Sequence, residues 1–422
     1  MGAAQAAAEI AAGRLTCEAL VRDCLERIAE RETAVQAWTH LDRDAAICAA
    51  RELDERPALG VLHGVPIGVK DVIDTHDMPT EYGSPIYKGH QPSADAGCIA
   101  MARSAGLLVL GKTVTTEFAT RHPGKTRNPH NPAHTPGGSS SGSAAAVADY
   151  MLPLAVGTQT GGSVIRPASF CGVVGFKPSF GLINRSGVKQ LSDTLDTVGV
   201  FGREVADVAL LVAALTGRGD VAGVRESPPP RIGFCRTPDW AQAQPETVAA
   251  LEQACEQLSA AGAKLEDCEL PAPFAALGEG HRRIEYFEIA RALQHEYRHH
   301  CEQMSAGLVS RVQEGLACPG EAYDAAVMHA RECRVLIDAA FADFDALLAP
   351  SAIGEAPLGL SSTGKAVFNR MWTLLGLPCV TIPCNRGPVG LPVGVQIIGR
   401  FRSDKKTLEI AAWIERQIRQ SS

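Results

Sequence analysis

The stretch "GTQTGGSVIRPASFCGVVGF", residues 157–176, carries a glycine-rich turn into a short helix and back into a β-branched strand, "GVVGF". Glycine inside a helix or strand weakens it, so glycines gathered at element boundaries need turns, close packing or access to backbone amides as their reason. Immediately upstream, "TPGGSSSGSAAAVADYM" reads as a long loop entering a small-residue helix over about 141–151, followed by a short apolar strand. The same alternation continues outward. "VLHGVPIGVKDVI", 61–73, is a β-branched run that delivers Lys70 near a strand end; "DAGCIAMARSAG", 95–106, is a helix closed by glycine; "LLVLGKT" is the next strand. This pattern predicts an α/β fold in which a mixed central β-sheet is covered by helices on both faces.

Toward the N-terminus, residues 14–55 are helical in pattern, with Thr16 as an N-cap and Glu18 in the first turn. Beyond "PPPRIGF", helical patterns dominate over roughly 246–261, 278–300 and 321–342, with "AKLEDCEL" as a strand between the first two. "FDALLAP", "CVTIPC" and "PVGVQIIG" then read as closing strands before a C-terminal helix. We expect one large domain over 1–422, a catalytic core region over 60–200 and a peripheral helical region over 236–345.

The chain has 422 residues, 45% hydrophobic and 21% charged, with a net charge of −7, and no basic block tracks a nucleic-acid backbone. A small solute is the expected partner, with neither nucleic acid nor membrane; a homodimer is compatible with the chain. Thirteen scattered cysteines, none in a CxxC pair, point to buried free thiols in a reducing compartment rather than to disulfides or zinc. "MGAAQAAAEIAAG" contains an acid and lacks the basic start of a signal peptide, so it reads as the first turns of an amphipathic helix. A cytoplasmic location is expected.

Three chemistries compete for the glycine-rich turns. A phosphate cradle loses ground because neither GxxxxGK[ST] nor GxGxxG occurs in a suitable setting. "GSSSG", 138–142, formally matches the nucleophile elbow GxSxG with Ser140 at its centre, but a proline-rich loop precedes it and its histidine would have to come from 281–329. The third is a serine activated by a neutral lysine, which needs a site that lowers the ordinary lysine pKa of about 10.4. Lys70 suits this at the end of an apolar strand; pairing with Asp71 is the competing reading.

"GVPIGVKD" at 64–71, "GGSSSGSAAAVA" at 137–148 and "GTQTGGSVIRPAS" at 157–169, in that order, resemble the amidase signature family, and agreement resumes at "GLPVGVQIIGR", 390–400. The resemblance implies a Ser-cisSer-Lys triad of nucleophile Ser163, bridging Ser139 and base Lys70; 24 positions separate the two serines, as in the family. An acyl-enzyme on Ser163 follows, with its oxyanion held by backbone amides of Thr160, Gly161, Gly162 and Ser163. No cofactor or metal is implied.

Here Arg166 lies three residues after the nucleophile, in "GGSVIRPA", where the usual pattern places arginine two after. Together with "GTQT" and "NPHNPAHTPGG" this resembles the malonamidase branch more than the transamidosome component. It implies hydrolysis of a small carboxylated amide such as malonamate, with Arg166 binding the carboxylate; the alternatives are a broad acylamidase and an amidotransferase subunit. A structural ion pair is the other reading of Arg166. Gln159 and Thr158 are weaker substrate-binding candidates, each also readable as part of the loop's polar network. Tyr82, His122 and Arg127 are candidates from the preceding loops, each more readily a structural or supporting residue; Glu117 is a second acid or a buried ion pair, and Asp193 and Asp196 are candidates for orientation.

Overall fold

The computed structural model describes residues 1–225 and 227–420. Eleven strands form one sheet: β1 (Trp38–Leu41), β2 (Pro66–Lys70), β3 (Leu108–Thr113), β4 (Leu154–Gln159), β5 (Val174–Lys177), β6 (Thr197–Gly202), β7 (Arg231–Phe234), β8 (Lys264–Asp267), β9 (Ala346–Pro350), β10 (Cys379–Arg386) and β11 (Pro392–Ile398). Their spatial order is β1-β3-β2-β4-β6-β5-β10-β11-β9-β7-β8. The pairs β3·β2, β2·β4, β9·β7 and β7·β8 are parallel, and the others antiparallel. The sheet is therefore mixed, as the alternating pattern predicts.

Side-chain alternation along the strands feeds two layers of core. Leu154 and Val156 join one apolar cluster while Ala155 between them joins another; Ala346 and Leu348 divide from Leu347 and Ala349 in the same way. One face is covered by the helices Val205–Thr216, Pro245–Ala260 and Asp404–Gln420, whose apolar residues sit with Leu154 and Leu348. Opposite them lie Cys17–Val35, Arg43–Asp54 and Ser141–Ala148 at one end, and Gly320–Ala340 with Val367–Leu374 at the other. Both faces are apolar, so the strands read as near-continuous hydrophobic runs rather than as alternating ones.

Several elements differ from expectation. The first thirteen residues form a separate helix, Ala3–Ala11, that stops before Gly13 in the left-handed region. Thr16 caps the next helix by accepting from Ala19 N at 3.0 Å. The helical stretch expected through residue 55 is interrupted by β1, which pairs antiparallel with β3; four residues, "WTHL", are too few to overrule the surrounding helical pattern. The helix at 141 ends at Ala148. The helix Ala306–Ala317 is additional to those read from sequence. All thirteen cysteines are free; nine are buried, three half-buried and Cys48 exposed, so the expectation of buried thiols holds for most of them. Among the described residues no helix is long and apolar enough to cross a membrane.

Candidate active site

β2 ends at Lys70, whose side chain is 0% exposed. Its Nζ lies 2.7 Å from Ser139 Oγ, 2.7 Å from Thr158 Oγ1 and 3.4 Å from the Thr158 carbonyl oxygen. Burial drives its pKa well below the usual lysine value, opposed by the charge of Asp196. A neutral amine has two N–H donors and one lone pair. If the two donors face the two oxygens of Thr158, the lone pair is left for the hydroxyl proton of Ser139. Asp71, the competing partner from sequence, instead lies 3.9 Å from Lys112 and accepts from Glu81 N.

Ser139 belongs to a buried loop whose Gly138–Ser139 peptide is cis. Several contacts hold this loop. Thr116 N donates to the Ser139 carbonyl, Ser141 Oγ donates to Gly137 O, Asn128 N donates to His134 O, and Arg166 NH2 donates to Gly138 O at 2.5 Å. Ser140 is fully buried and exchanges hydrogen bonds with the backbone of Thr158. It therefore has neither the access nor the histidine that a nucleophile elbow requires.

The turn after β4 presents Ser163, 8% exposed, at its end. This turn is clamped through its carbonyl oxygens. Thr160 O accepts from His281 Nε2 at 2.8 Å, Gly161 O from Thr373 Oγ1 at 2.8 Å, and Gly162 O from Arg166 N at 3.0 Å. Among the described residues, no protein acceptor takes the N–H groups of Gly161, Gly162 or Ser163, and the Ser163 hydroxyl makes no hydrogen bond. A Cβ on Gly162 would collide with Asn369 Oδ1, so glycine lets the turn approach the helix Val367–Leu374. The arrangement leaves three consecutive backbone donors and a hydroxyl without protein partners, and a developing oxyanion needs donors of this kind.

The remaining candidates separate into those near this turn and those in the scaffold. Thr158 touches Lys70. Thr160 Oγ1 donates to Asp196 Oδ1 at 2.6 Å, and Asp196 Oδ2 accepts from Leu191 N and Ser192 N, tying the turn to the loop before β6. Gln159, expected to meet substrate, is instead buried: Oε1 accepts from Val164 N and Ile165 N at the start of helix Ile165–Cys171, and Nε2 donates to Thr373. Arg166, expected as an open carboxylate fork or an ion-pair member, is also buried and bonds Gly138 O and Thr363 Oγ1, with its Nε unpartnered. Burial and the neighbouring guanidiniums of Arg370 and Arg121 push its pKa down to about 9.

Glu117 bonds the amide and hydroxyl of Ser305, Tyr82 donates to Asp74, Arg127 donates to Pro132 O, and Asp193 accepts from Arg185 through its carbonyl. The His122 carbonyl accepts from Glu117 N. None of these contacts reaches the turn. Sequence reading missed His281, Asn369 and Thr373. Asn369 and Thr373, one turn apart in "FNRMWTL", are polar residues facing inward from an otherwise buried helix. That i, i+4 polar pair is the signal that could have found them.

A buried serine–lysine pair beside a hydroxyl and a row of free amides, on a mixed sheet of this size, defines an amide-hydrolysing enzyme. The chain belongs to the amidase family, whose model matches residues 19–408. It is 35% identical to a glutamyl-tRNA(Gln) amidotransferase subunit of Symbiobacterium thermophilum over 95% of this chain and 93% of that one. Identity to the corresponding subunit of Thermobifida fusca is 32%, over 99% and 96%. Among solved structures, an amidase superposes with a TM-score of 0.91 at 31% identity, covering 99% of this chain and 100% of the other. The native peptide amidase of Stenotrophomonas maltophilia does so at 0.84 and 31%, covering 99% and 97%. These relatives correct the resemblance to the malonamidase branch: those of Symbiobacterium thermophilum and Thermobifida fusca match over nearly their full length and are glutamyl-tRNA(Gln) amidotransferase subunits, and a one-residue shift of arginine was too local a feature to assign a branch.

Proposed function

We propose that the chain cleaves a primary carboxamide and releases ammonia, as the amide-hydrolysing component of an amidotransferase. Ser163 Oγ attacks the carbonyl carbon while its proton passes through Ser139 to neutral Lys70. The amides of Gly161, Gly162 and Ser163 receive the negative oxygen, with the Thr160 amide as the remaining member of the expected set. Collapse breaks the C–N bond, the proton returns by the same relay to the leaving nitrogen, and ammonia departs. Water then attacks the acyl-enzyme with Lys70 again as base, freeing the carboxylate and Ser163.

The observation that carries this reading is the 2.7 Å contact between Ser139 and a buried Lys70 whose pKa burial lowers, next to a turn whose N–H groups at Gly161, Gly162 and Ser163 have no acceptor among the described residues. The amidotransferase role is supported by the reciprocal coverage of subunits so named. A second reading, a stand-alone amidase of broad or small carboxylated amides, is supported by the likeness to the peptide amidase. Ammonia release by the purified chain, alone and after co-expression with candidate partner subunits, separates them across a panel of glutamine, malonamate, neutral short amides and aryl amides. Turnover that requires a co-purifying partner favours the first reading, and full turnover alone the second. Release from no amide under either condition overturns both.

A further inference from the structure

In a trans peptide unit the carbonyl of one residue is conjugated with the N–H of the next, and the two point opposite ways. The nucleophile turn carries three such units in a row, each engaged on its carbonyl side. Thr160 O accepts from His281 Nε2 at 2.8 Å, and that unit ends in the Gly161 N–H. Gly161 O accepts from Thr373 Oγ1 at 2.8 Å, and its unit ends in the Gly162 N–H. Gly162 O accepts from Arg166 N at 3.0 Å, and its unit ends in the Ser163 N–H. Those three N–H groups are the ones without a protein acceptor among the described residues. One clamp thus falls on each unit whose donor is left free.

Both side-chain clamps are committed to this contact. The buried Thr373 hydroxyl accepts from Gln159 Nε2 at 2.9 Å, and Gln159 Oε1 accepts from Val164 N and Ile165 N, which fixes which end of that amide faces Thr373. The one hydroxyl hydrogen has Gly161 O at 2.8 Å and Asn369 O at 3.1 Å within reach, the carbonyl of the turn being the nearer. A chain of hydrogen bonds therefore runs from Gln159 through Thr373 to the unit that ends in the Gly162 N–H. His281, on helix Leu277–Ala292, is fully buried. Its Nε2 meets a carbonyl and so carries the hydrogen, while burial pushes the ring pKa down to about 4 and leaves Nδ1 as a lone pair. Nδ1 has no hydrogen-bond partner among the described residues, and Glu285 Oε2, 3.9 Å away, is likewise unpartnered. A buried nitrogen left unpaired opposite a carboxylate weighs against folding, so packing alone does not account for a histidine at this position.

We infer that His281 and Thr373 are positioning residues that strengthen the oxyanion donors of Gly161 and Gly162 by aiming and polarising the peptide units to which those donors belong. A hydrogen bond accepted at a carbonyl draws electron density toward its oxygen and leaves the N–H at the other end of the unit a stronger donor, and successive bonds in a chain reinforce one another. The gain is small for the neutral carbonyl of a bound substrate and largest for the oxyanion formed when Ser163 Oγ adds to it. The contribution of both residues therefore belongs to kcat rather than to KM. Gln159 acts one bond further back, through Thr373. This inference rests on the proposed amide hydrolysis at the same site.

The test compares the wild type with Thr373→Val, Thr373→Ser, His281→Leu and His281→Gln, each checked by near-UV circular dichroism. Valine keeps the shape of threonine without the hydroxyl, whereas serine and glutamine keep a donor. With butanamide as substrate, Thr373→Val and His281→Leu should each lower kcat about tenfold, part of the ~10²–10³ that an oxyanion donor itself contributes, with KM within about threefold of the wild type. Thr373→Ser should recover most of that loss and His281→Gln part of it. The second readout is the binding of propylboronic acid, measured by titration calorimetry, in which boron replaces the carbonyl carbon of butanamide. The Ser163 Oγ–B bond forms, the hydroxyl proton passes to Lys70, and boron becomes tetrahedral with a single negative charge. Its affinity should weaken in Thr373→Val and His281→Leu by the same factor as kcat/KM. A loss confined to KM, a kcat within about threefold of the wild type, or an unchanged boronate affinity in the donorless variants would overturn the inference. The two donorless variants lie on different helices, so failure of one to fold leaves the other to decide. Boronate binding that Ser163→Ala abolishes and Thr373→Val weakens supports the inference even if no amide is hydrolysed, the result that would instead sink the proposed reaction. No boronate binding in the wild type counts against it.

Discussion

At the scale of single residues, the site depends on keeping one amine uncharged. Lys70 gains no carboxylate partner; it gains two hydroxyls and a carbonyl, which suit a neutral amine as well as an ammonium. Ser163→Ala should abolish ammonia release, and Ser139→Ala and Lys70→Ala should each lower kcat by about 10²–10⁴, measured on variants whose near-UV circular dichroism matches the wild type. Near-normal turnover in any of them would remove that residue from the relay. The pH dependence has a definite sign. Because burial lowers the Lys70 pKa, kcat/KM should rise with pH through a midpoint well below that of free lysine. Asp196 opposes this shift, so Asp196→Asn should move the midpoint to lower pH while weakening the tie from Thr160 to the loop before β6. A midpoint unmoved or raised would show that Asp196 acts on the turn alone.

At the scale of elements, the relay is assembled by close approach of backbones. Helix Ser141–Ala148 starts two residues after Ser139, and Gly142 lies where a Cβ would collide with Ala37 O and Val114 N. Gly142 N donates to Val114 O and Val114 N to Ala37 O, so three segments meet at this residue. Gly142→Ala should destabilise the fold by about 1–3 kcal/mol, read from urea unfolding. The apolar runs "VPIGVK", "SGSAAAVA" and "LAVGTQ" made the surrounding strands and helix legible, while Lys70, Ser139 and Ser163 were singled out by the resemblance of their three motifs, in order and spacing, to the amidase signature family. The contacts that hold the turn were not. His281 and Thr373 lie 121 and 212 positions from the carbonyls they bond; the polar pair Asn369 and Thr373 marks an inward-facing helix side, but neither helix shows locally which carbonyl it meets. Gln159 stayed open between two readings for a related reason: a polar residue in a glycine-rich turn looks available until helix Ile165–Cys171 is seen to need an acceptor for its first amides.

At the scale of the whole molecule, the C-terminal helix closes one face of the sheet against helix Val205–Thr216, and a buried acid sits at that junction. Glu415 accepts from Val205 N at 3.0 Å and pairs with Arg419 at 2.9 Å, yet burial pushes its pKa up to about 7. A raised carboxyl pKa favours the folded state fully below the ordinary value near 4.5, and this contribution is lost as pH rises through 7. Glu415→Gln should therefore match the wild type near pH 4 and become more stable by on the order of 1–2 kcal/mol above pH 7, visible as a pH-dependent difference in Tm. A constant difference across this range would show that Glu415 does not titrate there. The strand order has a further implication for how the protein is made. β5, only a few residues beyond Ser163, pairs on one side with β10, and the turn holding Ser163 is clamped by Thr373. A nascent chain emerging from the ribosome has synthesised Lys70, Ser139 and Ser163 long before the segments that lock them together exist. Assembly is thus deferred until the segments carrying Thr373 and β10 have been made, and a chain released after residue 200 would hold Lys70, Ser139 and Ser163 without the clamp and the neighbouring strand that fix them.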